Sequence, residues 1–101
     1  MNERRKRVRT AVQLPIQVLS LGGIETDWVG TTRDLSSGGG VRFECPHPAT
    51  AGEQARYIVT LSQGNPPVKI TCEGRVVRCL PIEGTPSYEI VFTMDTYRFL
   101  R

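Results

Sequence analysis

Apolar residues recur at every second position over much of the chain, the period of a half-buried β-strand. Val12, Leu14, Ile16 and Val18 share one face of a first strand over roughly residues 11–20, and Leu21-Gly22-Gly23 reads as a turn. Residues 25–33, with Trp28, Thr31 and Thr32, favour a second strand. A loop at Asp34–Gly39 leads into a short third strand, Val41-Arg42-Phe43. Cys45-Pro46-His47-Pro48 stops it, because neither proline can donate to a ladder. Ala55, Tyr57, Val59 and Leu61 alternate on a fourth strand, and Gly64-Asn65-Pro66-Pro67 connects it to a long fifth. That fifth strand carries Ile70, Cys72, Val76 and Leu80 on one face, and Gly74 within it predicts a bulge or sharp bend. Tyr88, Ile90 and Phe92 mark a sixth. The tail from Asp95 to Arg101 is read as one or two helical turns, capped by Asp95, with Tyr97 and Leu100 packing back. Six short strands separated by turns predict an antiparallel all-β barrel or sandwich.

A chain of 101 residues fits one domain with a single core and has little room for a deep cleft. Its net charge of +3 is unevenly placed. Residues 1–9 hold Arg4, Arg5, Lys6, Arg7 and Arg9 against Glu3, a local net of +4, and the remaining residues come to −1. The division expected is a flexible basic arm over 1–10 and a barrel over 11–101, with an anionic partner meeting the arm first. The plain alternative is a solvated tail.

Cys45, Cys72 and Cys79 have neither an even count nor a C-x-x-C spacing, which argues against a disulfide framework or a zinc site. No apolar run is long enough to cross a membrane as a helix, and no apolar stretch follows the basic N-terminus as in a signal peptide; a reducing cytoplasm is expected. His47 is the only histidine, so no Ser-His-Asp or Cys-His set beyond it is available and no catalytic residue is assigned. It is expected to be exposed. Trp28 is expected to be half-buried packing rather than a platform for a base, and Tyr57, Tyr88, Phe43 and Phe92 to be core.

Two segments carry candidate binding chemistry. Arg5-Lys6-Arg7-Val8-Arg9 spaces two arginines four apart, and arginine forks suit phosphate and the O6/N7 edge of guanine. Asp34-Leu35-Ser36-Ser37-Gly38-Gly39 offers a carboxylate, hydroxyls and backbone N–H groups in a turn. Together they suggest a receptor for a small anionic guanine nucleotide. By itself the second segment also reads as a turn in which Asp and Ser cap their own backbone.

The R-x-x-x-R spacing before a strand reading "LPIQV", then D-x-S-x-x-G after the second strand, resembles a PilZ domain. Gly74-Arg75-Val76-Val77 and Tyr88-Glu89-Ile90-Val91-Phe92 are similar to its closing strands, although Ile90 or Val91 stands where that strand often has glycine. The resemblance spans about residues 3–99. It implies a six-stranded antiparallel barrel of the split-barrel type, a non-enzymatic receptor, and cyclic di-GMP as the ligand, with no further cofactor. Arg5 and Arg9 match the first motif, and Asp34, Ser36 and Gly39 the second.

The chemistry agrees with that transfer. Two phosphodiesters and two guanines suit the arginines by charge and stacking, and Asp34 can accept from guanine N–H groups. Ser36 can bond a base edge or a phosphate, and Gly39 permits close approach or positive φ. Arg4, beside the first motif arginine, is read as favouring a stacked ligand pair. The arm is expected to fold over the barrel on binding and to signal to an effector protein. Two alternatives stand beside this reading, a β-barrel nucleic-acid module and a PilZ-like interaction domain without ligand. The near-neutral body and the retained motif residues argue against them in turn.

Overall fold

The computed structural model describes residues 9–36 and 39–100, with Arg9 and Thr10 described through their backbone. The strands are β1 (Arg9–Thr10), β2 (Pro15–Leu21), β3 (Ile24–Ser36), β4 (Gly40–Cys45), β5 (Gln54–Ser62), β6 (Val68–Pro81), β7 (Tyr88–Thr93) and β8 (Thr96–Leu100). Every pairing is antiparallel, in the order β3-β2-β5-β6-β7-β4, and β4 returns to β3 to close the barrel. Closure leaves none of these six strands as a bare edge along its whole length.

Two long strands make the corners. β3 pairs with β2 through Thr31 and with β4 from Thr32 onward. β6 pairs with β5 through Arg75 and with β7 from Val76 onward. Each corner carries a short extra strand, β1 on the end of β3 and β8 on the first half of β6. The six barrel strands therefore form as expected. The start of the chain differs slightly: Val12–Leu14 precede β2 and are held by Thr32, whose Oγ1 donates to the Val12 carbonyl (2.6 Å) and accepts from the Leu14 N–H (2.9 Å).

Three rings fill the centre. Phe43 and Tyr57 pack on Phe92, with centroids 5.0 and 4.8 Å apart, and all three are essentially inaccessible. Ile16, Val18, Val41, Val59, Ile70, Cys72, Val76 and Ile90 surround them, the inward residues of alternating strands. Tyr88 and Trp28 are only partly buried against this cluster. His47 is exposed, and its ring stacks on Trp28 at 4.5 Å and 16°.

Two expectations are corrected. The tail is not helical: Thr96–Leu100 is β8, which pairs with β6 from Cys72↔Tyr97 to Lys69↔Leu100. A helix of so few residues has little stability of its own, whereas β6 offers an open row of backbone groups. Leu80 does not face the core. The ladder slips between Val76 and Arg78, so Val77 is a bulge, Cys79 takes the inward position, and Leu80 is turned out at 49% exposure.

Of the bulge or sharp bend expected at Gly74, the bend falls beside it, where β6 turns its corner between Arg75 and Val76, and the bulge lies three residues further on; Gly74 also has a steric role. A Cβ there would lie 1.9 Å from the carbonyl oxygen of Thr93, so β6 passes directly beneath the end of β7. Thr93 is tied down on both sides: its carbonyl accepts from the Tyr57 hydroxyl (2.7 Å) and its Oγ1 from the Arg75 N–H (2.9 Å).

Candidate functional site

The second motif lies at the β3–β4 corner. A slip between Thr32 and Asp34 makes Arg33 an extra residue in β3. Thr32 then pairs with the core residue Phe43, whereas Asp34 pairs with Arg42. Arg42 sits between the inward-facing Val41 and Phe43, so this pair is on the outer face of the barrel. The bulge is what moves Asp34 out of the phase that would have sent its carboxylate into the core.

Asp34 is only 5% exposed, and its Oδ2 accepts from both Nε (2.9 Å) and Nη2 of Arg42. The remaining arm of the guanidinium, Nη1, donates to Glu89 Oε2 on β7 at 2.7 Å. Arg78 on β6 stands 3.9 Å from the other oxygen of Glu89. The Arg42 pKa is raised, chiefly by the hydrogen bond to Asp34, so the guanidinium stays charged. Val91 lies in register between Arg42 and Arg78 and is 8% exposed, although strand alternation puts it on the opposite side of β7 from Ile90 and Phe92. Ile90, one of the two residues at the position where a glycine is often found, is wholly buried in the core.

Gly39 has φ +92°, which an L side chain rarely adopts, in agreement with the positive φ read as one use of this position. Its N–H donates to the Ser36 carbonyl (2.8 Å), and its carbonyl accepts from the Met94 N–H (2.5 Å). The next residue, Asp95, donates its N–H to the Glu73 carbonyl (2.8 Å). The hairpin that carries Ser36 and Gly39 is thereby fixed to the segment that crosses over Gly74.

Arg9 of the first motif reaches the same corner. β1 adds to β3 with Arg9 opposite Ser36 and Thr10 opposite Leu35. Directly paired residues of an antiparallel ladder have Cα atoms about 5 Å apart. Arg9 is thus brought, from a distant position in sequence, beside Ser36 on the corner that also carries Asp34 and Gly39. Arg4 and Arg5, and the rest of the arm over 1–8, lie outside the described residues.

Sequence reasoning missed Arg42, Glu89 and Arg78. The hairpin register held the signal, since Ser36↔Gly40 and Leu35↔Val41 bring Asp34 opposite Arg42. A cation facing an anion across a tight turn is a readable pattern. Glu89 and Arg78 depend on strands joined only in the closed barrel and gave no local sign. Among the described residues, no group of three or more His, Cys, Asp or Glu side chains could hold a metal ion. No helix there is long and apolar enough to cross a membrane.

A small closed antiparallel barrel whose second motif forms a corner that Arg9 also reaches is the class of molecule these features define. The profile of the PilZ domain matches residues 3–98, and the chain belongs to the PilZ domain family, known as a cyclic di-GMP-binding family. Among solved structures, the Bacillus subtilis inhibitor of motility, MotI/DgrA, is similar in fold: TM-score 0.72 and 21% identity, over 93% of this chain and 44% of that one. This chain therefore spans less than half the length of that neighbour. No curated protein matches it.

Proposed function

We propose that the protein is a cyclic di-GMP receptor without catalytic activity of its own, acting on an effector protein. The observation that carries this reading is the register of β1 on β3, which sets Arg9 opposite Ser36 and within the same corner as Asp34 and Gly39. Family membership supplies the ligand class. In this reading Arg5 and Arg9 bond phosphate or guanine O6/N7, Asp34 accepts from guanine N–H groups, and Ser36 bonds a base edge or phosphate. Gly39 keeps the hairpin tight. Arg4 stacks on a second guanine and favours a ligand pair. The signal is the arm, residues 1–10, closing over this corner when ligand is present, which changes the surface offered to a partner.

Calorimetric titration with cyclic di-GMP, cyclic di-AMP and GTP tests the reading. Saturable binding of cyclic di-GMP alone is expected, with more than one ligand per chain. Arg9→Ala should weaken it by about tenfold to a hundredfold, the range for one charge-assisted hydrogen bond. No heat with any nucleotide, together with binding of a single-stranded oligonucleotide that falls steeply with salt, would replace it by a nucleic-acid module.

A further inference from the structure

Arg42 belongs to neither motif, yet it makes two bonds to the acid of the second. Its fork divides between two carboxylates, with Nε and Nη2 on Asp34 and Nη1 on Glu89. Glu89 comes from β7, so the fork bridges adjacent strands, and Arg78 approaches Glu89 from β6. The Asp34 side chain is 7% exposed and that of Arg42 34%, so the guanidinium lies partly open to solvent while the carboxylate it holds is covered. Arg42 and Arg78 balance Asp34 and Glu89. Without Arg42 the cluster would be net negative, and a dianionic nucleotide would meet two carboxylates against one cation.

A carboxylate selects guanine through its Watson–Crick edge only if it is ionised and correctly turned. A side chain with two rotatable bonds needs a partner to keep it so, and a bidentate guanidinium fixed by a second acid supplies one. We propose that Arg42, anchored by Glu89, is a positioning residue that holds the Asp34 carboxylate in one orientation and thereby sets the guanine preference of the site. This rests on the cyclic di-GMP reading above.

The test compares cyclic di-GMP with its inosine analogue, which keeps N1–H but lacks the 2-amino group, on the folded wild-type chain and on Arg42→Lys, Arg42→Met and Glu89→Gln. Lysine keeps the charge but cannot fork across two carboxylates. The wild type should prefer cyclic di-GMP by about tenfold or more, the worth of one hydrogen bond to a charged group. Arg42→Lys should weaken cyclic di-GMP by about the tenfold that it loses in preference, with the inosine analogue bound nearly as by the wild type. Arg42→Met should also lose affinity for both ligands, and Glu89→Gln should reduce the preference in part. A purely structural role for Arg42 would lower both affinities together or lower the melting temperature, with the ratio unmoved. An unchanged ratio in Arg42→Lys, or no guanine preference in the wild type, overturns the inference and leaves the receptor reading standing. Absence of cyclic di-GMP binding in the wild type overturns both.

Discussion

A Cβ on residue 74 would fall 1.9 Å from the Thr93 carbonyl oxygen, a backbone atom that the Tyr57 hydroxyl already holds in place. Neither partner can give way cheaply, since Thr93 also accepts from the Arg75 N–H and Tyr57 is buried in the core. Gly74→Ala should therefore cost about 3 kcal/mol, the upper part of the range for overpacking, read as a lower urea midpoint with unchanged slope. The sequence marked Gly74 as special but not why, because the atom it must avoid is a backbone oxygen of another strand. Asp34 is the opposite case. Its motif was plain, and so were its neighbours Ser36 and Gly39, but the Arg33 bulge that brings it outward, and the pairing with Arg42, were not read. Both follow from register, which a single-strand pattern does not report.

Strands were legible where alternation was clean. Ile16 and Val18, Tyr57 and Val59, and Ile90 and Phe92 all point inward as their spacing implied. Alternation failed where the ladder slips. In β6 a strict period would have sent Arg78 to the core with Leu80, and a buried unpaired arginine is so costly that the Val77 bulge is the better solution. The tail was misread because Tyr97 and Leu100 lie three apart, as on a helix face, whereas Tyr97 and Phe99 lie two apart, as on a strand. The strand spacing prevails, and the two rings meet edge to face at 6.4 Å. β8 nevertheless buries little: Tyr97 and Phe99 are more than half exposed, while Phe92 on β7 is wholly enclosed. Tyr97→Ala and Phe99→Ala should each cost less than about 1 kcal/mol, and Phe92→Ala about 3–5 kcal/mol, in the same denaturation assay.

For the molecule as a whole, the core contains acids whose ionisation burial opposes. Burial raises the Cys72 thiol to about 11, and raises Cys45 and the Tyr57 phenol as well. Each is neutral when folded and loses its proton more readily when the chain opens. Their contribution to stability is complete below the ordinary thiol value of 9.0 and is lost as pH rises towards and through the folded values. Melting temperature should thus be level from neutral pH to about 9 and then fall, and Cys72→Ala should soften the first part of that fall. The outline of the fold could be read from one sequence because turns and alternation are local. Closure rested on the family resemblance, since alternation alone left barrel and sandwich open and the β4–β7 pairing joins strands far apart in sequence.

The stack of His47 on Trp28 gives the protein an optical property. The chain has one tryptophan and one histidine, and the fold places one ring on the other, so indole emission comes from a single fluorophore stacked on a single imidazole. A loosening of that stack when the Pro46–Pro48 turn moves against β3 would change the emission, with no label attached.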